Sequence, residues 1–172
     1  MLPSHFPQLP PASGRLVLWE QTDHWGLFFL QQIKRAMPVE LPVDAVPLTE
    51  QAIFVASVEQ LRETVETHPA SFVFAEVTMT HYRELLARIP HWRQAMPLLR
   101  IAVICLELPL RTVGEHDVFT SLFCEAGAAT VLSTRRELAA MIPVVSTHFA
   151  NIPQRECTWR ESIEQRLPWR NV

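Results

Sequence analysis

Ser71-Phe-Val-Phe-Ala-Glu-Val77 is the stretch that decides how this chain folds. It is a short apolar run of β-branched and aromatic residues with no glycine or proline inside. His68-Pro69 precedes it, and a carboxylate, Glu76, stands where it ends. A strand that is apolar on both sides is covered on both faces, as the central strand of a helix-flanked parallel sheet is. Sheets of that kind keep their working residues at the carboxyl ends of the strands, which puts Glu76 at the functional edge.

Outward from this run, strands and helices alternate. Residues 15–19 form an apolar strand closed by Glu20 and Gln21, and Thr22 or Asp23 caps a helix to about Met37, with Phe29, Ile33, Ala36 and Met37 on one face. Pro38, Pro42 and Pro47 then interrupt a connection over 38–50, read as a lid or an insertion. A strand over 52–56 leads to Ser57-Val-Glu-Gln60, a capping box that opens a helix with Val58, Leu61 and Val65 inward. After the decisive run, Thr80 or His81 starts a helix whose Tyr82, Leu85, Leu86 and Ile89 keep helical spacing until Pro90 stops or kinks it.

The second half repeats the pattern. Residues 99–106 form a fourth strand, with Glu107 after it. A helix over 115–126 buries Val118, Phe119, Leu122 and Phe123 and ends at Gly127. Residues 129–132 form a fifth strand, and Thr134-Arg-Arg-Glu137 is a second capping box. It opens a helix lined by Leu138, Met141, Ile142, Val145 and Phe149 and kinked at Pro143. Five strands alternating with five helices through right-handed crossovers make a doubly wound, three-layer α/β sandwich with a parallel sheet.

The ends read differently. Residues 1–14 are a proline-rich flexible arm, 15–150 the α/β domain, and 151–172 a tail. In the tail, Thr158-Trp-Arg-Glu161 is a third capping box, and Trp159, Ile163 and Leu167 share one stripe of a short helix before Pro168-Trp169. A helix that short is marginal by itself, so it docks or frays. Trp159, Ile163 and Trp169 are candidate partner-binding residues, because exposed tryptophans make good anchors.

With 172 residues and 48% apolar content, the chain has enough for a single core. A net charge of -3 gives no electrostatic case for nucleic acid or an anionic membrane. There is no run of bilayer length and no secretory leader at the first residues, which reads as a cytoplasmic protein. Cys105, Cys124 and Cys157 form no CxxC pair, so neither a disulfide framework nor a zinc site is expected. Four glycines leave no phosphate loop or dinucleotide fingerprint, and neither HExxH nor GxSxG occurs. No cofactor is expected. The basic residues are arginines except for one, Lys34.

The alternation, the Ser71–Thr80 stretch Ser-Phe-Val-Phe-Ala-Glu-Val-Thr-Met-Thr, and Glu125-Ala-Gly-Ala-Ala-Thr-Val-Leu-Ser133 resemble the receiver domain of two-component response regulators. The resemblance covers roughly residues 15–149 and implies a flavodoxin-like fold with strand order 2-1-3-4-5. It also implies a site: an acidic pair after the first strand for Mg²⁺, an acceptor aspartate after the third, a hydroxyl after the fourth and a lysine after the fifth. In this sequence those positions fall on Glu20 and Gln21, on Glu76, near Cys105 or Leu106, and on Thr134. Each departs from the pattern, and the single lysine lies in the first helix.

The sequence therefore reads as a degenerate receiver: a non-catalytic regulatory module that acts through a protein partner, a second copy of the chain among the candidates. The fourth and fifth helices, by resemblance, and the tail are its expected contact surfaces. The alternative is a small-ligand, metal-binding or hydrolytic domain using an acidic cleft of Glu20, Asp23, Glu76 and Glu107. Its plainer counterpart has those carboxylates capping helices and neutralised by Arg135 or Arg136.

Overall fold

All five residues of β3, Phe72–Glu76, are buried, because the strand lies in the middle of a parallel sheet ordered β2-β1-β3-β4-β5. A computed structural model describes residues 14–21, 25–36, 49–50, 52–106 and 113–152. The proline-rich arm before Gly14, the connection over 37–48, Thr22, Asp23, Glu107 and the tail with Trp159, Ile163 and Trp169 lie outside the described residues. The other strands are β1 (Leu16–Trp19), β2 (Ala52–Val55), β4 (Arg100–Ile104) and β5 (Thr130–Leu132). This is the doubly wound α/β class and the strand order that the sequence implies. The register pairs Trp19 with Ala75, so Glu20 and Glu76 emerge as neighbours at the carboxyl edge.

The period of two along each strand divides the core into two layers. Val17, Trp19, Val73, Ala75, Ile101 and Val103 pack beneath α2 (Val58–Thr67), α3 (Tyr82–Ala95) and α4 (Val113–Ala126). Leu16, Leu18, Phe72, Phe74, Ala102 and Ile104 pack beneath α1 (Trp25–Ala36), α5 (Arg135–Ala140) and α6 (Ile142–Ala150). Ser71 is buried at the mouth of β3 but satisfied: its Oγ donates to the His68 carbonyl at 2.7 Å and accepts the Arg15 N–H at 3.1 Å, joining β3 to β1. Among the described residues no helix is long and apolar enough to cross a membrane.

Several helices depart from the sequence reading. Pro90 does not stop α3, one of the two outcomes expected there, and the helix runs on to Ala95. Proline inside a helix costs about 3 kcal/mol. Here its ring faces outward while Trp92 continues the buried stripe of Leu85 and Ile89, and that burial holds the last turn. At Pro143 the opposite happens: instead of one kinked helix there are two, α5 ending at Ala140 and α6 opening with Pro143 in its first turn. The chain thus has six helices among its described residues, not five.

α1 buries Trp25, Gly26, Phe29 and Ile33, while Ala36, expected on that face, is exposed. α4 buries Phe119 and Phe123 but leaves Val118 and Leu122 open to solvent, against expectation. Gly127 ends α4 at φ +106°, where a side chain would be strained.

α6 is fastened to the sheet by His148. Its Nε2 lies 2.8 Å from the Ala70 carbonyl, and its ring meets the edges of Phe72 at 5.4 Å and Phe149 at 5.1 Å. Burial lowers its pKa below the ordinary imidazole value of 6.5, the Ala70 bond opposes this, and the charge of Arg100 adds to it. The unfolded chain therefore takes up the proton first, so this contribution is complete above about pH 6.5 and is lost as pH falls below it. His68, lowered by burial and by Arg15, acts in the same direction. Urea unfolding between about pH 7.5 and 5.5 is expected to show falling stability toward acid, with a shallower fall in His148→Gln. An unchanged slope in that variant would remove His148 from the account.

Candidate functional site

Two carboxylates stand where the carboxyl ends of β1 and β3 meet the first turn of α1. Glu76 is 1% exposed. Its Oε2 accepts the Gln21 backbone N–H at 2.6 Å and the Trp25 indole N–H at 3.1 Å. Glu20 turns onto the helix end, where its Oε1 accepts the Gly26 N–H at 3.2 Å and satisfies one of the donors that a helix start leaves open. Gly26 permits that approach: a Cβ there would lie 2.7 Å from the Phe54 ring and 3.3 Å from Glu20 Oε2. The Gln21 side chain donates to the Ala56 carbonyl at 3.1 Å, tying the same loop to the end of β2. Trp25 itself is fully buried and leans on Phe74, ring centroids 6.4 Å apart.

The structure thus brings Glu20, Gln21 and Glu76 together. Thr134 instead caps a helix, its Oγ1 accepting the Glu137 N–H at 3.2 Å while Glu137 Oε2 accepts the Ser133 and Thr134 N–H groups at 2.7 and 3.2 Å. This is the capping box expected there. At Ser57 the cap also forms, but Gln60 returns its side chain to the Ala56 N–H, one residue before the expected partner. Asp23 and Glu107, the remaining members of the acidic cleft, lie outside the described residues. Cys105, directly after β4, is a buried thiol whose pKa burial pushes up to about 12, so it stays protonated and is no substitute for a hydroxyl. Arg135 lies over the Phe28 ring, 6.0 Å from its centroid.

Two neighbouring features complete the edge. Trp19 is buried with its indole N–H unpaired among the described residues, its ring meeting His81 edge-on at 5.9 Å. His116, near the start of α4, bonds Ser133 Oγ through Nε2 and lies 3.4 Å from Thr120 Oγ1 through Nδ1, linking α4 to the loop after β5. On the outer side of α3 and α4, Met79, Val118 and Leu122 are 59%, 62% and 45% exposed, around a groove of about 430 Å³ that Tyr82 and Phe119 also line.

No family model matches the chain, and no curated protein matches it. Among solved structures four chains match. One is the crystal structure of a CheY-like protein (TadZ) from Pseudomonas aeruginosa PAO1, 14% identical, with a TM-score of 0.52, covering 82% of this chain and 98% of that one. The chain has the CheY-like receiver fold. At that identity the likeness speaks to fold alone.

The receiver fold implies Mg²⁺ beside the acceptor carboxylate, and the donor set here does not fit it. A hard dication takes several oxygen ligands. At this edge one of the two first-strand positions is an amide engaged with the backbone, Glu20 accepts from a helix end, and Glu76 Oε2 already takes two N–H donors. Among the described residues no three His, Cys, Asp or Glu side chains cluster.

The residue that the sequence reading missed is Trp25. Its signal was an aromatic in the first turn of the helix that follows an acidic strand end, but nothing local says which carboxylate an indole will reach. Glu76→Leu leaves the buried Trp25 indole and the half-buried Gln21 N–H unpaired and is expected to cost about 2–4 kcal/mol; Trp25→Phe is expected to cost about 1–3 kcal/mol. In urea unfolding the pair should couple by about 1 kcal/mol or more, whereas additive losses would show that the contact carries no energy.

Proposed function

We propose that this chain is a receiver-fold signalling module of the cytoplasm that works through protein–protein contact and is not switched by phosphoryl transfer. The observation that carries this reading is the engagement of Glu76, whose Oε2 accepts an indole and a backbone N–H in a site almost closed to solvent. Phosphoryl transfer to a carboxylate needs an oxygen open to in-line approach, a cation against the developing charge, and donors for the product. Here the lysine position falls on Thr134, bound into a helix cap, and the fourth-strand position near Cys105 or Leu106, neither of which carries a hydroxyl. A contact role is supported by α4, which is held by Phe119 and Phe123 while Val118 and Leu122, with Met79 beside them, face outward. Apolar side chains grouped in this way mark interaction surfaces.

Incubation with acetyl phosphate and Mg²⁺ is expected to leave the mass of the intact protein unchanged. A stoichiometric, base-labile phosphoryl adduct that disappears in Glu76→Gln would overturn the reading. Leu122→Asp, at an exposed position, is expected to shift stability by less than about 0.5 kcal/mol. The same variant should lower recovery of partners by the tagged full-length chain, and undiminished recovery would remove α4 from the contact surface.

A further inference from the structure

A second groove, of about 540 Å³, opens at the opposite end of the strands, between α6 and the amino ends of β3 and β4. Phe72 and His148 are among its lining residues, as are Leu98 and Val144, which are 41% and 49% exposed. Arg100 also lines it and forms no ion pair among the described residues, while its charge is felt by both His148 and Arg93. The described chain ends at Ile152, which is itself part of the groove lining.

We propose that the groove is the docking site of the chain's own C-terminal segment, residues 153–172, with Trp159 as the anchor. Two observations select this occupant. First, residues 153–158 separate the groove from Trp159, a tether of six residues that spans at most about 20 Å and need only fold back on itself. The groove between α3 and α4 lies on the other face of the sheet, at the other end of the strands, and suits so short a tether poorly. Second, Trp159, Ile163 and Leu167 recur at every fourth position, the spacing of a helix stripe that needs an apolar surface to be stable.

The test is limited trypsin digestion of the full chain, timed at the cleavages after Arg160 and Arg166 by mass spectrometry. Cleavage of an open segment follows the open population. Both cleavages are expected to be at least ~10-fold slower in the native chain than in Trp159→Ala or Val144→Lys, and independent of protein concentration. Val144 is half exposed, so its replacement spares the core, and Leu98→Ser serves as a second groove variant. If the native chain is cleaved as fast as Trp159→Ala, the proposal fails. If protection vanishes on dilution together with a dimer in sedimentation, a second copy supplies the segment and the intramolecular proposal is overturned.

Discussion

A carboxylate buried at the centre of a parallel sheet must be given donors, and here those donors come from the segment that joins the first strand to the first helix. An unmatched carboxylate in that position would cost several kcal/mol. Glu76 avoids this by taking the Gln21 amide and the Trp25 indole, from 55 and 51 residues away. The same turn is fixed again by Glu20 on the Gly26 N–H and by the Gln21 side chain on the Ala56 carbonyl. β1, β2, β3 and α1 are thus bound at one corner, and the edge that would serve as a reaction cleft is filled by the protein's own groups.

Closure at that corner contrasts with the outer faces. α4 reaches the core through Phe119 and Phe123 and is tied to the loop after β5 by His116 and Ser133. The other half of its hydrophobic residues faces solvent, which is costly to solubility unless something covers it. α6 likewise uses His148 and Val145 inward and leaves Val144 outside. Exposed apolar side chains thus include Val118 and Leu122 on α4 and Val144 on α6, together with Leu27, Phe54, Met79 and Leu98 elsewhere.

How much of this was legible depended on the length scale of the cause. The parallel α/β class followed from strand runs whose apolar character is local, the strand order only from the resemblance to receiver domains, and the caps at Ser57 and Thr134 from residues three positions apart. Pro90 and Pro143 show where local rules fail: one proline is tolerated because Trp92 buries the turn beyond it, the other sits where a new helix can begin. The outward face of α4 was misread because Val118, Phe119, Leu122 and Phe123 form a stripe too wide for one groove, and only the packing against α3 and β5 decides which half is used. The Glu76–Trp25 contact was invisible for the same reason, since it joins residues 51 apart through the register of β1 on β3.

The identity of the residue at 76 is what makes this arrangement self-consistent. Aspartate would hold its carboxylate one bond, about 1.5 Å, nearer its own strand. Contacts of 2.6 and 3.1 Å would then open beyond hydrogen-bond range, leaving a fully buried indole and a strand-end amide unpaired. Glutamate reaches across to the loop after β1 and the first helical turn, where it meets the Gln21 N–H and the Trp25 indole. The longer side chain and the tryptophan thus depend on one another, and either by itself would destabilise the edge. A glutamate at this position is a structural joint that holds β3 to β1 and α1.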